Sequence, residues 1–379
     1  MSINQNIFIS KKTTSSFSKV FNNVVNPQFY NSETSFITEG GNVINNLKIT
    51  FHTYGCYNPD KGKVVWVCHA LTGNSDVFDW WKGLFGENEI FNPKDYFIVC
   101  ANVIGSSYGT TGPGSLNDNG ELYLDTFPLI TPRDMARAHE LLRVHLGISK
   151  INTLIGASLG GQQAMEWSIE KPKMIENLIL IATNARHSAY GIAFNESQRL
   201  AIYGDPTYGE GSVDDAKNGL AIARSIAMLS YRSYSGYVKT QTNVENELVD
   251  NFKASSYQSY QGSKLANRFN AYSYVTLSKA MDSHNVGRGR ISIENALKHV
   301  EAKTLIIGID SDTLFPISEQ LFLKKNIPFS EFVTISSDFG HDGFLVENRL
   351  LNTIISDFLN NQFKNHLPTT FKKISNCRL

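Results

Sequence analysis

Lys150–Gly161 reads KINTLIGASLGG, and this segment is the most informative one about the fold. Lys150–Gly156 is a β-branched, apolar run typical of a buried strand, whereas Gly160–Glu170 has the composition of a helix. Between them stands a G-x-S-x-G pattern centred on Ser158. A serine here could be a plain helix N-cap, but a strand before it and a helix after it favour another structure. They predict a sharp strand-to-helix turn that exposes the serine hydroxyl at the edge of a sheet, beside the positive end of a helix dipole.

Outward from this turn, the chain alternates between strand-like and helix-like segments. The predicted strands are Asn46–His52 (at a sheet edge), Lys63–Cys68, Tyr96–Asn102, Lys150–Gly156, Asn177–Ala182, Lys303–Ile309 and Glu331–Ile335. The predicted helices are Thr131–Leu146, Gly160–Glu170, Ile317–Asn326 and Leu345–Leu359. This order predicts an α/β protein with a mostly parallel sheet covered by helices on both faces.

One region interrupts the alternation. Residues 185–299 lack β-branched runs and contain helical segments such as Gly219–Ser230. We therefore expect a core of residues 46–184 and 300–361, with 185–299 inserted as a helical lid. Residues 1–45, which are polar and irregular, form an N-terminal extension in this division, and residues 362–379 form a C-terminal tail.

Composition excludes several classes of function. The 35 Lys and Arg residues balance 35 Asp and Glu residues, so the chain offers no basic surface for nucleic acid or anionic lipid. The longest apolar runs have the length of strands, and the N-terminus has no signal-peptide pattern. A soluble cytoplasmic protein is the expectation.

The cysteines and histidines do not suggest a metal site. Cys56, Cys68, Cys100 and Cys377 have no CxxC spacing, and two of them lie in apolar runs that predict buried thiols. The nine histidines form no HExxH pattern. The sequence therefore predicts no bound metal.

A nucleophilic serine needs a base and an acid, and the loops after two later strands supply candidates. His341 stands in the glycine-flanked segment SSDFGHDG after the last predicted strand. The loop after Ile309 contains Asp310 and Asp312, either of which could orient the imidazole. Spacing alone favours Asp312 only slightly.

The serine chemistry also needs two backbone N–H groups to bind an oxyanion. The residue after the serine, Leu159, would supply one of them. The loop CHALTG after an early strand would supply the other, from Leu71 or Thr72. His69 in this loop is expected to brace it rather than to transfer protons.

Many segments together resemble one family, the homoserine O-acetyltransferases of the α/β-hydrolase superfamily. The resemblance runs from about residue 45 to residue 360. The segments that carry it are CHALTG (68–73), DWW (79–81), CANV (100–103), GTTGP (109–113), RDM (133–135), FNESQR (194–199), GLAIAR (219–224), YQSYQG (257–262), RFNAYSY (268–274), SDTLFP (311–316) and GHDGFL (340–345). The resemblance implies the α/β-hydrolase fold, with a mostly parallel central sheet and a helical lid insertion.

The resemblance also implies an activity: acetyl transfer from the co-substrate acetyl-CoA to the hydroxyl of L-homoserine, a step toward methionine, with no bound cofactor. Ser158, Asp312 and His341 match the family's nucleophile, acid and base. Arg224 and Asp342 match its homoserine-binding residues, and Tyr231 matches a tyrosine near the substrate. Family members pair as homodimers through lid helices.

Other functions remain open at this stage. The same triad could serve an esterase that uses water as the acceptor, or the fold could belong to a binding protein without catalysis. Related acyltransferases use succinyl-CoA as the donor or serine as the acceptor, and the sequence does not decide between these substrates.

Overall fold

An eight-stranded sheet organises the protein, whose computed structural model describes residues 26–60, 62–245 and 247–362. The strands are β1 Gln28–Asn31, β2 Phe36–Ile37, β3 Val43–Ile44, β4 Lys48–Tyr54, β5 Lys63–Cys68, β6 Tyr96–Ala101, β7 Ile151–Ala157, β8 Ile175–Ile181, β9 Lys303–Ile309 and β10 Ser330–Ile335. The large sheet has the order β1-β4-β6-β5-β7-β8-β9-β10, and β2 pairs with β3 separately. Only the β1–β4 and β4–β6 pairings are antiparallel among the described strands of this sheet, so the mostly parallel sheet is confirmed.

Helices cover both faces of this sheet. The described α-helices, in chain order, are α1 Val77–Trp80, α2 Pro132–His145, α3 Leu159–Glu170, α4 Ala189–Tyr203, α5 Lys217–Tyr231, α6 Tyr234–Gln241, α7 Lys253–Ala266, α8 Ala271–Asp282, α9 Ile293–Leu297, α10 Ile317–Asn326, α11 Gly343–Val346 and α12 Asn348–Leu359. Alternate residues of β5 illustrate the layering, since Trp66 belongs to one buried cluster and Val67 to the other. Trp167 of α3 packs on the first face, and Phe358 of α12 packs on the second.

The predicted edge strand of the sheet is wrong. The predicted edge strand Asn46–His52 corresponds to β4, which lies between β1 and β6. The alternation of polar and apolar residues in this segment suggested an edge strand, but two polar residues of β4 are buried and bonded: Thr53 accepts a hydrogen bond from Gln28, and His52 bonds Ser75. The true edge, β1, is a four-residue strand within the segment expected to be irregular. Short polar strands form through pairing and leave little periodic signal.

Two helix predictions have different outcomes. Helix α2 is confirmed, and its N-cap Thr131 forms a capping box with Asp134. The single C-terminal helix predicted over Leu345–Leu359 is wrong, because Glu347 leaves the helical region (φ −82°, ψ 42°) and separates α11 from α12.

Between β8 and β9 the described chain contains six helices, α4 to α9, and no strand of the large sheet. We call residues 185–299 the insertion.

Residues 1–25 and 363–379 lie outside the described residues; they include Cys377 and most of the predicted N-terminal extension and C-terminal tail. Cys68 and Cys100 are buried as predicted, and Cys56 is exposed. None of the described helices combines the length and apolar character that crossing a membrane requires.

Candidate active site

Ser158 occupies the strained turn that the sequence predicts. It lies between β7 and α3 with φ 56° and ψ −126°, a backbone conformation that non-glycine residues rarely adopt. Two hydrogen bonds from the neighbouring strand and its loop hold it there. The Ser158 N–H donates to the Ile181 carbonyl at 3.0 Å, and the Thr183 hydroxyl donates to the Ser158 carbonyl at 2.9 Å. Ser158 as a whole is 5% exposed.

The glycines beside the serine are required by close backbone contacts. A Cβ atom at Gly156 would lie 2.2 Å from the Gly160 carbonyl oxygen, and one at Gly160 would lie 2.1 Å from the Cys68 carbonyl oxygen. Both distances are too short for any side chain. The G-x-S-x-G pattern therefore allows α3 to double back against β7 and against the end of β5.

Asp312 and His341 form a buried pair at the ends of two neighbouring strands. His341 Nδ1 lies 2.6 Å from Asp312 Oδ2, and the two residues are 3% and 4% exposed. The other carboxylate oxygen, Asp312 Oδ1, accepts hydrogen bonds from the N–H groups of Leu314 and Phe315, each at 2.9 Å. The carboxylate is therefore fixed in position, and its charge faces the imidazole.

Asp310, the alternative acid, has a different environment. It is exposed, and its Oδ1 accepts a hydrogen bond from the Ser337 N–H at 3.2 Å. Of the two candidate aspartates, Asp312 is the one in contact with His341. The pairing leaves His341 Nε2 available for proton transfer.

Opposing effects act on the pKa of His341. Burial lowers the pKa, whereas the charge and hydrogen bond of Asp312 and the charge of Asp342 raise it, and the net change is upward. Aromatic rings fix the imidazole: the ring centroids of Phe315, Phe344 and Tyr231 lie 5.0, 5.4 and 5.8 Å from its own. A base held in this way loses little orientation during reaction.

Ser158 and His341 follow the carboxyl ends of two parallel strands, β7 and β10, and so lie at the same end of the sheet. No hydrogen bond joins Ser158 Oγ to the imidazole in the described structure. Catalytic hydrogen bonds of this kind are often long before substrate binds and shorten in the reacting complex.

A tight turn after β5 carries the candidate oxyanion donors. The Gly73 N–H donates to the Ala70 carbonyl at 2.9 Å, so Leu71 and Thr72 occupy the middle of the turn. No described residue accepts a hydrogen bond from their N–H groups or from that of Leu159. All three amides are therefore available to a bound oxyanion.

His69 braces this turn from inside the protein. Its Nδ1 lies 2.8 Å from the Ala70 carbonyl oxygen, and its Nε2 accepts a hydrogen bond from the Val103 N–H at 3.1 Å. Burial lowers the pKa of His69 to about 4, so the ring is neutral and carries its proton on Nδ1. This geometry fits the bracing role that the sequence predicts.

Gln163 is a contributor that sequence reasoning missed. From α3, its side-chain amide donates to the His69 carbonyl at 3.1 Å, and its oxygen pairs with His139 Nε2 at 3.1 Å. The one signal in the sequence was its place in the predicted helix, about one turn after the first residue of that helix. The contact joins the turn after β5 to α3, the helix that follows Ser158.

The candidate acceptor-binding residues approach from the insertion. The Arg224 guanidinium carbon lies 5.2 Å from the centre of the Tyr231 ring, which in turn packs against His341. Burial and the charge of Asp342 raise the pKa of Tyr231, while Arg224 lowers it, with a net increase. Among the described residues no carboxylate lies within 4.0 Å of Arg224, so its charge is available to an anionic group.

Asp342 has a partner that the sequence did not predict. Arg232 Nε lies 3.0 Å from Asp342 Oδ2, and the Arg232 guanidinium carbon lies 5.4 Å from the centre of the Phe339 ring. The resemblance implied only that Asp342 is a homoserine-binding residue. Arg232 stands in the polar run YRSYSGY, which carries no signal that one residue reaches the site.

Comparisons with known proteins show which family this chain resembles. The family model described as alpha/beta hydrolase fold matches residues 63–348. A homoserine O-acetyltransferase of Cyclobacterium marinum is 48% identical over 321 residues, which cover 84% of this chain and 91% of that protein. One from Chlorobium chlorochromatii is 42% identical over 350 residues, covering 90% and 98%.

Solved structures show the same likeness. A homoserine O-acetyltransferase from Staphylococcus aureus is 33% identical with a TM-score of 0.73, covering 92% of this chain and 98% of that one. Esterase E22 has a TM-score of 0.81 at 24% identity, covering 89% and 100%, and shows the shared fold alone. Since these sequence relatives match along most of both chains, and the family model covers residues 63–348, this chain belongs to the homoserine O-acetyltransferase family of α/β-hydrolases.

Proposed function

We propose that this protein transfers the acetyl group of acetyl-CoA to the side-chain hydroxyl of L-homoserine, giving O-acetyl-L-homoserine for methionine biosynthesis in the cytoplasm. The observation that carries the proposal is the 48% identity, over 84% of the chain, to a homoserine O-acetyltransferase. The buried Asp312–His341 pair at 2.6 Å supports it, because acyl transfer through serine needs such a base.

In the first half-reaction, His341 Nε2 takes the Ser158 proton while Ser158 Oγ attacks the thioester carbon. The N–H of Leu159, together with that of Leu71 or Thr72, binds the oxyanion that forms. When the carbon–sulfur bond breaks, the imidazolium returns its proton to the sulfur, and CoA leaves as the thiol. Asp312 stabilises the imidazolium throughout this step.

The second half-reaction repeats this chemistry with a different nucleophile. His341 takes the proton of the homoserine hydroxyl, whose oxygen attacks the acetyl-serine carbon. The same oxyanion donors act again. The bond to Ser158 Oγ then breaks, and Oγ recovers its proton from the imidazolium, so the enzyme returns to its starting state.

Homoserine is a zwitterion, and the proposed acceptor site offers both charges. The Arg224 guanidinium would bind the carboxylate, and Asp342 would accept from the ammonium group. Tyr231 contacts both Arg224 and the base, with its ring centroid 5.2 Å from the Arg224 guanidinium carbon and 5.8 Å from the centroid of the His341 ring. An acceptor held at both ends presents its hydroxyl in one orientation.

Water at about 55 M competes for the acetyl group, so an oriented acceptor and a covered site are needed; orientation supplies effective molarities of about 10⁵ M or more. We assign the covering role to the insertion, residues 185–299, over a core of 46–184 and 300–361.

A homodimer formed through the helices of the insertion is also part of the proposal. It is supported by the exposed apolar side chains on α5 to α7, which include Ile222, Leu229, Val238 and Tyr260.

The test is release of free CoA from acetyl-CoA, with and without homoserine, followed by mass spectrometry of the products. We expect CoA release to depend on homoserine and to yield O-acetylhomoserine. Release at the same rate without homoserine would instead indicate a hydrolase. Parallel reactions with succinyl-CoA or with serine decide the donor and the acceptor, and faster turnover with either would replace the proposed substrate.

A further inference from the structure

The turn that carries the candidate oxyanion donors is held at several points. We call residues 69–73 the donor turn. On the core side, the Gln163 amide donates to the His69 carbonyl, and the His69 ring bonds both the Ala70 carbonyl and the Val103 N–H. These bonds fix the first half of the donor turn and leave its second half, at Thr72, to another partner.

That partner comes from the insertion. Arg268, in the link between α7 and α8, donates from Nη1 to the Thr72 carbonyl at 2.9 Å. The same nitrogen donates to the hydroxyl of Tyr108, in the loop after β6. One guanidinium therefore joins the donor turn to a second core loop, although 196 residues separate Arg268 from Thr72.

Neighbouring contacts show that this is a docked junction rather than a single surface bond. The Phe269 ring packs edge-on against Tyr108 at 5.6 Å, and Phe269 is 5% exposed. Asn270, the N-cap of α8, donates to the Ser107 hydroxyl from its backbone N–H at 3.2 Å and from its side chain at 3.1 Å. The segment 268–270 is thus fixed on the core, and Arg268 has a defined position.

We propose that Arg268 is a positioning residue for the oxyanion site: by holding the Thr72 carbonyl, it orients the adjoining peptide groups of the donor turn and ties them to the insertion. The inference rests on the proposed function, in which the N–H of Leu71 or Thr72 binds the oxyanion. Oxyanion stabilisation depends on donors that are aimed before reaction begins. Apart from the Arg268 bond, the only hydrogen bond that Thr72 and Gly73 form in the described structure is the one from the Gly73 N–H to the Ala70 carbonyl.

A positioning role predicts an effect on the two half-reactions that differs from the effect of losing a substrate-binding residue. Both half-reactions pass through an oxyanion in the same site, so a misaligned donor slows acylation and deacylation by similar factors. We expect Arg268→Met to lower both rates about tenfold to a hundredfold, less than the loss from removing a donor outright. The KM values for acetyl-CoA and homoserine should change little.

The experiment measures the two half-reactions separately in the full-length protein. Acylation is followed with acetyl-CoA and with p-nitrophenyl acetate, which lacks the CoA phosphates, and deacylation by mixing acetyl-enzyme with homoserine. Arg268→Lys keeps one donor and should recover part of both rates. The matched control is Lys279→Met on α8, which removes an exposed cation that stacks on Tyr203 and should leave both rates unchanged.

Three outcomes would overturn the inference. Unchanged rates in Arg268→Met would show that the donor turn needs no anchor from the insertion. A higher KM for acetyl-CoA with normal reaction of p-nitrophenyl acetate would make Arg268 a CoA-binding residue. Loss of only the homoserine step would make it an acceptor-binding residue. A wild-type protein that forms no acetyl-enzyme from acetyl-CoA would refute the proposed function itself, which is a distinct result.

Discussion

The sheet edge and the insertion contribute to the site in physically different ways. Ser158, Asp312 and His341 follow β7, β9 and β10, and the backbone around them is hydrogen bonded to neighbouring strands or loops. Arg224 and Arg268 instead reach the site on long side chains from helices or the links between them. A site assembled from both can keep its bond-forming groups rigid while acceptor recognition depends on how the insertion docks.

The strongest test of this division removes the nucleophile. Ser158→Ala should abolish acetyl-enzyme formation and reduce turnover by about 10⁴-fold or more, because no other group supplies the attacking oxygen. Intact-protein mass spectrometry after mixing with acetyl-CoA measures the adduct directly. An adduct of unchanged abundance in the variant would place the acyl group on another residue and contradict the sheet-edge mechanism.

The next test separates the two aspartates of one loop. Asp312→Asn should lower turnover by about 10⁴-fold, since the amide can neither stabilise the imidazolium nor hold the correct tautomer. Steady-state turnover with acetyl-CoA and homoserine is the measurement.

Asp310→Asn is the matched control for this change. Asp310 is exposed, and among the described residues its side chain bonds only the Ser337 N–H, so we expect turnover within about twofold of wild type. A larger loss in the Asp310 variant than in the Asp312 variant would reverse the assignment of the acid.

The two regions also differ in how much the sequence predicts. The turn at Ser158 was predictable because its signals, two glycines, a strand and a helix, all lie within a few residues of the serine. The pairing of Asp312 with His341 joins two loops 29 residues apart, and spacing alone left Asp310 open. The resemblance of SDTLFP to the family favoured Asp312, and the geometry agrees.

Residues that act across long separations left no local signal. Arg232 and Arg268 stand in short links between helices, where an arginine is most often a solvated surface charge, and their partners lie far away in sequence. The prediction that β4 is an edge strand was wrong for a related reason. Its threonines and histidine are buried and hydrogen bonded, but in the sequence alone they are indistinguishable from polar residues on an exposed face.

A change in the insertion should separate the half-reactions rather than stop both. Arg224→Met removes the cation proposed for the homoserine carboxylate, so the KM for homoserine should rise about a hundredfold. Acylation by acetyl-CoA should proceed at the wild-type rate, because that step needs no acceptor. Rapid mixing for acylation and steady-state kinetics for transfer measure the two effects.

Lys217→Met on the same helix provides the control for Arg224. Lys217 forms an exposed ion pair with Asp214 at 2.8 Å, and such pairs contribute little. The KM of the Lys217→Met variant for homoserine should equal that of the wild-type protein. If Arg224→Met behaved like this control, the acceptor carboxylate would bind elsewhere.

The smallest expected effect lies where the two regions meet, at Asp342. The charge of Asp342 is one of the causes that raise the pKa of His341, after Asp312 and against the opposing effect of burial. Acylation requires neutral His341, so its rate rises with pH through this pKa. Asp342→Asn removes a cause of the increase and leaves the Arg232 cation nearby, and both changes lower the pKa. The acid limb of the acylation profile should therefore move to lower pH.

Acylation by p-nitrophenyl acetate across the acid range isolates this effect, because it requires neither homoserine nor CoA. Below the wild-type limb the Asp342→Asn variant should acylate faster than wild type, while the plateau at higher pH stays the same. Asp338→Asn is the control, since Asp338 is a carboxylate of the same loop that pairs with Lys239 at the surface. A limb that stayed in place, or moved to higher pH, would mean that Asp342 does not act on the base electrostatically, and the regions would then be coupled only through substrate.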